Sequence, residues 1–428
     1  MKIIILAGGE GKRMWPIQTD KCLIPFLGKP LLYHNLKKIK DNVKGEFIIV
    51  ATPQNKDHIE KVAKELELTY QVVVQSEPKG MADGLLSAKE YLKEEILVVN
   101  AEDLLDGKIY SEVAKGGAEV VFAALKVNKY FPGGYLKVDR DKVSGIVEKP
   151  GERNEPSDLV KLVVDYFKDG KKLVEYLEKI TSGSDNVYEK ALNQMIVDGI
   201  EVKFIKYDGP WIPLKYPWQI LDIQGYFLSS IEQKIYSDAN VSEKAIITGK
   251  VLIEEGAKVF EGAVIKGPCY IGKGVVVGNN SMVRETNLEE GVVTGFNSDI
   301  TRSYIGPNCW FHTNYIGDSV IEGNFGMGSG AVLANLRLDD HTIRVRVAEK
   351  EVDTGRHKLG LIAGQGSRVG VNASTMPGVK IGANSLVGPG VTLYQDVKDN
   401  TKILVKQEYQ ISEHTPNLTS YDQFRKKL

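Results

Sequence analysis

Residues 1–30 read MKIIILAGGEGKRMWPIQTDKCLIPFLGKP. The unbroken apolar run Ile3, Ile4, Ile5, Leu6 predicts a short buried strand over residues 2–6. Ala7, Gly8, Gly9, Glu10 and Gly11 follow at once. Without Cβ atoms this stretch can turn sharply and bring its N–H groups close to an anion. Lys12, Arg13 and Lys21 place positive charge on the same loop. Backbone donors plus cations are what a polyphosphate requires. Two commoner phosphate loops do not fit. A Walker A loop needs Ser or Thr after Gly-Lys, but Arg13 follows Lys12, and Leu6 stands where its first glycine belongs. A dinucleotide fingerprint begun at Gly9 needs Gly or Ala at position 14, which is Met14.

Outward from this stretch, strands and helices alternate. A helix is predicted over 30–40, a strand over 47–51, a helix over 55–67, strands over 72–74 and 96–99, and a helix over 84–91 between them. Such alternation predicts a mostly parallel sheet with helices on both faces, and ligands in such sheets bind at the carboxyl ends of strands. The Gly-rich loop sits at one such end. At the end of another stand two adjacent carboxylates, Glu102 and Asp103. Paired oxygen donors there suit Mg²⁺, a hard cation.

With 428 residues the chain is long enough for two or three domains. A net charge of −1 gives no electrostatic reason to expect nucleic acid or an acidic membrane as partner. No run of about 18 apolar residues predicts a membrane span, and glycines and charges interrupt the start before a signal peptide could form. Cys22, Cys269 and Cys309 are scattered and odd in number, so neither a disulfide framework nor a CxxC metal site is expected, and a cytoplasmic location is the default.

The opening stretch resembles the signature of the sugar-1-phosphate nucleotidylyltransferases, L-A-G-G-x-G-x-R-(L/M)-x-P followed by a Lys, an apolar run and G-K-P. The matching residues run from Leu6 to Gly11, then Arg13, Met14, Pro16, Lys21, and Gly28-Lys29-Pro30. The spacer 17–20 is shorter than in many relatives, and Asp20 replaces the usual Pro before the Lys. The resemblance implies an α/β, Rossmann-like nucleotidyltransferase domain with a mixed, mostly parallel sheet over 1–228. It implies nucleotide binding by Leu6, Ala7, Gly8, Gly9 and Gly11, with Gln75 and Gly80 of QSEPKGMA framing the base. Arg13 would act on the triphosphate and Lys21 at the reacting phosphates, while Glu102 takes the place of the family's metal-binding Asp, with Asp103 beside it. Gly134, Glu148 and Lys149 match the sugar-binding Gly and the E-K-P element, with Lys149 on the sugar phosphate. The implied partners are a nucleoside triphosphate, UTP or dTTP, and a sugar 1-phosphate. Departures are plain. Lys161 and Val163 stand where relatives have Asn and Gly. In WIPLKYPW, residues 211–218, the second metal carboxylate of W-x-D-I-G-x-P-W falls at Pro213.

The second half carries a different signal. Ile247, Ile253, Val259, Ile265, Ile271, Val277 and Val283 recur every sixth position, and the register returns at Ile381, Val387 and Leu393. Neither the helix nor the strand period yields this; a six-residue repeat predicts a β-helix with inward aliphatics and glycine at tight corners. The glycine count, 43 of 428, is raised mainly here. The pattern resembles the left-handed hexapeptide-repeat β-helix, which commonly forms trimers. Residues 229–240 are expected as linker, 241–404 as β-helix, 337–360 as a charged insertion whose basic residues reach an adjacent subunit, and 405–428 as a polar tail. HTNYIGD at 312–318 resembles the acetyltransferase half of bifunctional sugar-1-phosphate enzymes. That implies His312 as the base that takes a proton from an amino-sugar 1-phosphate attacking acetyl-CoA. Tyr315, Asn335 and Ser329 match substrate-binding positions, and a phosphate-binding Lys falls at Thr301 with Arg302 beside it. Three readings follow: nucleotidyl transfer alone, nucleotidyl plus acetyl transfer, and a catalytically impaired scaffold.

Overall fold

The computed structural model describes residues 1–9, 11–77, 79–180, 186–415 and 425–426; Glu10, Pro78 and much of the expected tail lie outside them. The opening apolar run forms strand β1 (Lys2–Leu6). It is flanked by β2 (Glu46–Ala51) and β4 (Ile96–Asn100) and is parallel to both; β3 (Tyr70–Val74) extends the sheet beyond β2. Successive side chains alternate in direction, and both directions are covered. Ile3 and Ile5 pack with Leu36 and Ile39 of α1 (Leu31–Asn42) and Ile59 and Val62 of α2 (Lys56–Glu65). Ile4 packs instead with Leu85 of α3 (Met81–Ser87). On that face lie also α5 (Gly170–Lys179) and α6 (Val187–Val197), whereas α4 (Lys108–Ala114) joins the first. This is why the run carries no alternation.

The remaining strands make the sheet mixed. They are β5 (Val120–Lys126), β6 (Gly134–Asp139), β7 (Lys142–Glu148), β8 (Leu159–Phe167) and β9 (Val202–Tyr207), and the nine-stranded order is β3-β2-β1-β4-β8-β5-β9-β7-β6. β8 runs antiparallel to both β4 and β5. The chain order reverses between β1 and β4. That reversal opens a crevice at their carboxyl ends, where the Gly-rich loop and Glu102 both lie.

From Lys234 onward short parallel strands stack into three faces of a β-helix. On one face Ile247 stacks on Ile265, then Val283, Ile300, Ile316, Leu333, Thr375 and Leu393. The coil from Val283 to Ile300 is one residue short of three hexads and the next is two short, which is where the six-residue register lapses. The inward aliphatics form one continuous core from Val251 to Val397. Coiling starts before the expected boundary: Lys234–Ile235 pairs with Leu252–Ile253 and Asn240–Val241 with Lys258–Val259, so residues 229–240 are not a free linker. The insertion 337–360 is not a bare protrusion. It carries an antiparallel hairpin, Arg344–Val347 against Lys350–Asp353, and Ile343 and Val345 are buried. Its Arg356 is ion-paired with Asp222 of α7 (Ile220–Ser230), within this same chain.

The two halves share a core. Met14, Ile17, Ile24 and Phe26 of the first half pack with Trp218, Ile223 and Phe227, and with Tyr304, Val320, Ile343, Val345 and Leu359 of the second. At this junction Glu289, 2% exposed, accepts hydrogen bonds from Gly28 N (3.1 Å) and Asn287 Nδ2 (2.9 Å). Burial pushes its carboxyl up to about 7, against the opposing pull of those donors. The folded chain therefore holds a proton that the unfolded chain releases, and stability should fall as pH rises from about 4.5 to about 7, by on the order of 3 kcal/mol. Glu289→Gln should flatten this slope, as read by chemical denaturation at pH 5 and pH 8; an unchanged slope would remove Glu289 as its source.

Candidate active sites

The first site forms where β1 ends. Asn55, 1% exposed, donates from Nδ2 to Ala7 O at 2.9 Å and pins the strand-to-loop turn. Gly11 adopts φ 62°, a left-handed conformation that suits glycine, and a 3-10 turn over Lys12–Met14 presents Arg13 to solvent. Gly8 leaves room for Gln75: a Cβ there would stand 2.7 Å from Gln75 Oε1. Gln75, 4% exposed, donates to Asp83 Oδ2 (2.7 Å) and Gly80 O (3.4 Å), so Gly8, Gln75 and Gly80 converge. Gly80 itself has φ 101° at the start of α3.

Lys21 Nζ forms an ion pair with Glu102 Oε2, and a Cβ on Gly9 would lie 3.2 Å from Glu102 Oε1. The lysine, the glycine loop and the acid after β4 thus meet in the crevice. Burial raises the carboxyl pKa of both Glu102 and Asp103; the Lys21 ammonium opposes this at Glu102, and the Trp211 side chain and Lys215 oppose it at Asp103. Across the cleft, Gly134 is in register with Glu148, and a Cβ on Gly134 would stand 3.2 Å from Glu148 Oε2. Lys149 Nζ pairs with Glu148 Oε1 at 3.0 Å.

Lys215 belongs to this cleft, although nothing in its local sequence assigned it a role. Its Nζ lies 3.9 Å from the Phe131 ring centroid. Burial lowers its pKa to about 8, with Asp103 and Glu148 pulling it up and Arg13 and Lys149 pushing it down. Lys161 is elsewhere. It is 6% exposed and bonded to the fully buried Asp165 at 2.5 Å, and Tyr188 Oη donates to the same carboxylate at 2.6 Å. Val163 falls in an irregularity of the β8–β5 register between Leu162 and Asp165.

In the second half, Tyr315 Oη donates to Asn335 Oδ1 at 3.4 Å, and Asn335 Nδ2 donates to Asp318 Oδ2 at 2.5 Å. Arg302 grips Asp318 with two bonds of 2.8 Å, and its Nη1 reaches Thr301 Oγ1 at 3.1 Å. His312 is exposed and lines a groove of about 600 Å³ with Trp310, Phe325, Met327 and Arg368. Ser329 is exposed near the same coil and does not line that groove.

The nucleotidyl transferase family profile matches residues 2–212. Over 95% of its length the chain is 33% identical to the bifunctional protein GlmU of Methanocaldococcus jannaschii, covering 98% of that protein. It is also 33% identical to a bifunctional sugar-1-phosphate nucleotidylyltransferase/acetyltransferase of Sulfurisphaera tokodaii, over 93% of this chain and 98% of the relative. The chain belongs to the bifunctional sugar-1-phosphate nucleotidylyltransferase/acetyltransferase family. It is a sugar-1-phosphate nucleotidyltransferase. A glucose-1-phosphate thymidylyltransferase of Streptomyces antibioticus, 26% identical over 74% of this chain and 98% of that one, is a more distant relative.

The resemblance implied a second metal-binding carboxylate at position 213, where this chain has proline. Pro213, in place of a carboxylate, is paired in backbone register with Asp103. Among the described residues no cluster of three or more His, Cys, Asp or Glu side chains is placed to hold a metal ion. Mg²⁺ needs fewer, since one or two carboxylates suffice when substrate phosphates and water complete the shell. Glu102 and Asp103 are two such carboxylates; burial disfavours their charged forms, a cost that a cation beside them would offset, as Lys21 already does at Glu102. The departure at 215 adds a cation: a lysine stands where the motif of residues 211–218 has glycine. That mismatch is the sequence signal that would have found Lys215. No described helix is long and apolar enough to cross a membrane.

Proposed function

We propose that this chain transfers a nucleotidyl group from UTP or dTTP to a sugar 1-phosphate in the crevice between β1 and β4. The observation that carries the reading is the meeting of the Gly8–Gly9–Gly11 loop with Lys21, Glu102 and Gln75 at that crevice, facing Lys215, Glu148 and Lys149. Leu6, Ala7, Gly8, Gly9 and Gly11 line the nucleotide, with Gln75 and Gly80 against the base. Glu148 accepts from sugar hydroxyls over Gly134, and Lys149 holds the sugar phosphate. One oxygen of that phosphate attacks the α-phosphorus in line; a P–O bond forms, the α–β bridging bond breaks, and pyrophosphate leaves. Arg13 and Lys21 neutralise charge gathering on the phosphate oxygens and hold two mutually repelling anions in line. Glu102 and Asp103 would hold Mg²⁺, which supplies further positive charge to the phosphates when bound. Measuring pyrophosphate release for four triphosphates against glucose-, mannose- and glucosamine-1-phosphate tests the reading. Silence across the panel would favour an impaired scaffold.

Lys215 gives this reading a pH signature. Near neutrality it is charged and attracts a phosphate; above about pH 8 it loses its proton. The kcat/KM, which reports the free enzyme, should therefore fall above about pH 8. Lys215→Gln should raise KM at pH 7 about tenfold, by analogy with a lost charged hydrogen bond, and should flatten the alkaline limb. An unaltered limb in the variant would exclude Lys215.

A second activity is favoured by the Tyr315–Asn335–Asp318–Arg302 network. Asp318 and Asn335 are nearly buried yet joined to a half-exposed Arg302, which suits an anionic sugar. In this reading the amine of glucosamine- or galactosamine-1-phosphate attacks the acetyl-CoA thioester, the C–S bond breaks, and His312 takes the amine proton for delivery to the thiolate. Assembly as a trimer or larger homo-oligomer through the β-helix, with Trp310 and Tyr394 exposed on it, completes the proposal.

A further inference from the structure

We propose that the β-helix positions the nucleotidyl-transfer loop, through a seat formed by Glu322 and Asp399 for residues 15–19. This rests on the reading that Arg13 and Lys21 act on the phosphates, because residues 15–19 are the chain between those two cations. Glu322, 8% exposed, lies just past the short strand Val320–Ile321 of the β-helix. Its Oε1 accepts from Gln18 N (2.9 Å), Thr19 N (2.6 Å) and Thr19 Oγ1 (2.7 Å). Its Oε2 accepts from Gln365 N at 2.8 Å, on the next coil. One carboxylate oxygen thus serves the β-helix and the other serves the loop. Asp399 bridges the two with a single oxygen: its Oδ1 accepts from both Trp15 Nε1 (3.0 Å) and Ala383 N (2.9 Å). Lys380 Nζ lies 4.4 Å from the Trp15 ring centroid.

Shape agrees with these bonds. A Cβ on Gly364 would stand 2.6 Å from Pro16 O, so that coil admits the loop only because position 364 has no side chain. After Lys21 the chain is held again: Leu27 N and Gly28 N donate to Asn287 and Glu289, and Tyr304 Oη donates to Pro25 O at 2.9 Å. Between its two 3-10 turns, Lys12–Met14 and Lys21–Leu23, the loop has no regular structure of its own. Charge-assisted bonds to a buried carboxylate are strong and directional, and misplacing a reacting group by about 1 Å can lower a rate about 100-fold. Glu322 and Asp399 touch no phosphate in this scheme; they are positioning residues supplied by the other half of the chain. The shortened spacer 17–20 is the segment that meets them.

The test uses the full-length chain with Glu322→Ala, Glu322→Gln and Thr19→Val. Glu322→Ala should lower kcat for pyrophosphate release 10- to 100-fold, with KM for the sugar phosphate moved less than threefold. It should also speed hydrogen exchange at the Gln18 and Thr19 amides. Glu322→Gln, which keeps one acceptor oxygen for the loop, should recover part of the rate. Thr19→Val removes only the hydroxyl bond and should give a smaller change of the same kind; it also carries the test if Glu322→Ala does not fold. Wild-type kcat in Glu322→Ala, or in Thr19→Val when only that variant folds, would overturn the seat, as would unchanged exchange at those amides. A wild-type chain that releases no pyrophosphate, yet shows the exchange change in Glu322→Ala, would refute the assigned activity while leaving the seat in place.

Discussion

Lys21→Ala should lower kcat for pyrophosphate release by about 100- to 1000-fold, roughly 3 kcal/mol or more of transition-state stabilisation, by analogy with a removed oxyanion donor. Two effects combine in this number. The phosphates lose a cation, and Glu102 loses the ammonium that compensates its burial. Glu102→Gln separates them, since it removes the buried charge while sparing Lys21. Glu102→Gln also removes a proposed Mg²⁺ ligand, so the double variant Lys21→Ala/Glu102→Gln is compared with Glu102→Gln alone. If Lys21 acts on phosphate, the double variant is slower than Glu102→Gln; if the lysine serves only to neutralise Glu102, the two are equally slow, and a double-mutant cycle reports the difference. Pyrophosphate release near the wild-type rate in Lys21→Ala would remove the residue from the chemistry altogether.

His312→Ala should abolish the release of CoA thiol with glucosamine-1-phosphate, a loss of about 100- to 10,000-fold for a general base, and should leave pyrophosphate release intact. The side chain is exposed, and the backbone of His312 is tied into the coil through Asn314 Oδ1, Phe296 N and Ser298 Oγ. Truncation therefore opens no cavity, and a lost signal reads as lost chemistry. Continued thiol release would refute the base assignment.

Local sequence carried much of this fold because each signal had a local cause. Ile3, Ile4 and Ile5 are apolar in unbroken succession because β1 is covered on both faces. The hexad repeat was legible from Ile247 to Val283, where coils hold three full hexads. It lapsed where the coils shorten; asparagine takes some of the left-handed corners that glycine was expected to fill, as at Asn280, Asn297 and Asn308, without breaking the aliphatic register. Residues named from motif alone, such as Gln75 with Gly8 and Glu148 with Gly134, lie side by side in the structure. Lys215 showed in sequence only as a mismatch to the motif's glycine, because its surroundings, Asp103, Arg13 and Glu148, are distant in the chain. Lys161, a departure from the motif in sequence, has a local cause: its strand turns it towards Asp165 and Tyr188.

The hairpin that interrupts the coils has a practical consequence. Val345 within it and Ile343 beside it sit in the same apolar cluster as Met14 and Phe26, so the chain has no clean seam at which to cut. A truncated chain ending after α7 would leave that cluster open to water, and a chimera carrying another relative's rod would meet a mismatched mould. Swapping modules among these enzymes would require transplanting the interrupting ribbon, the rod and the segment 12–30 together.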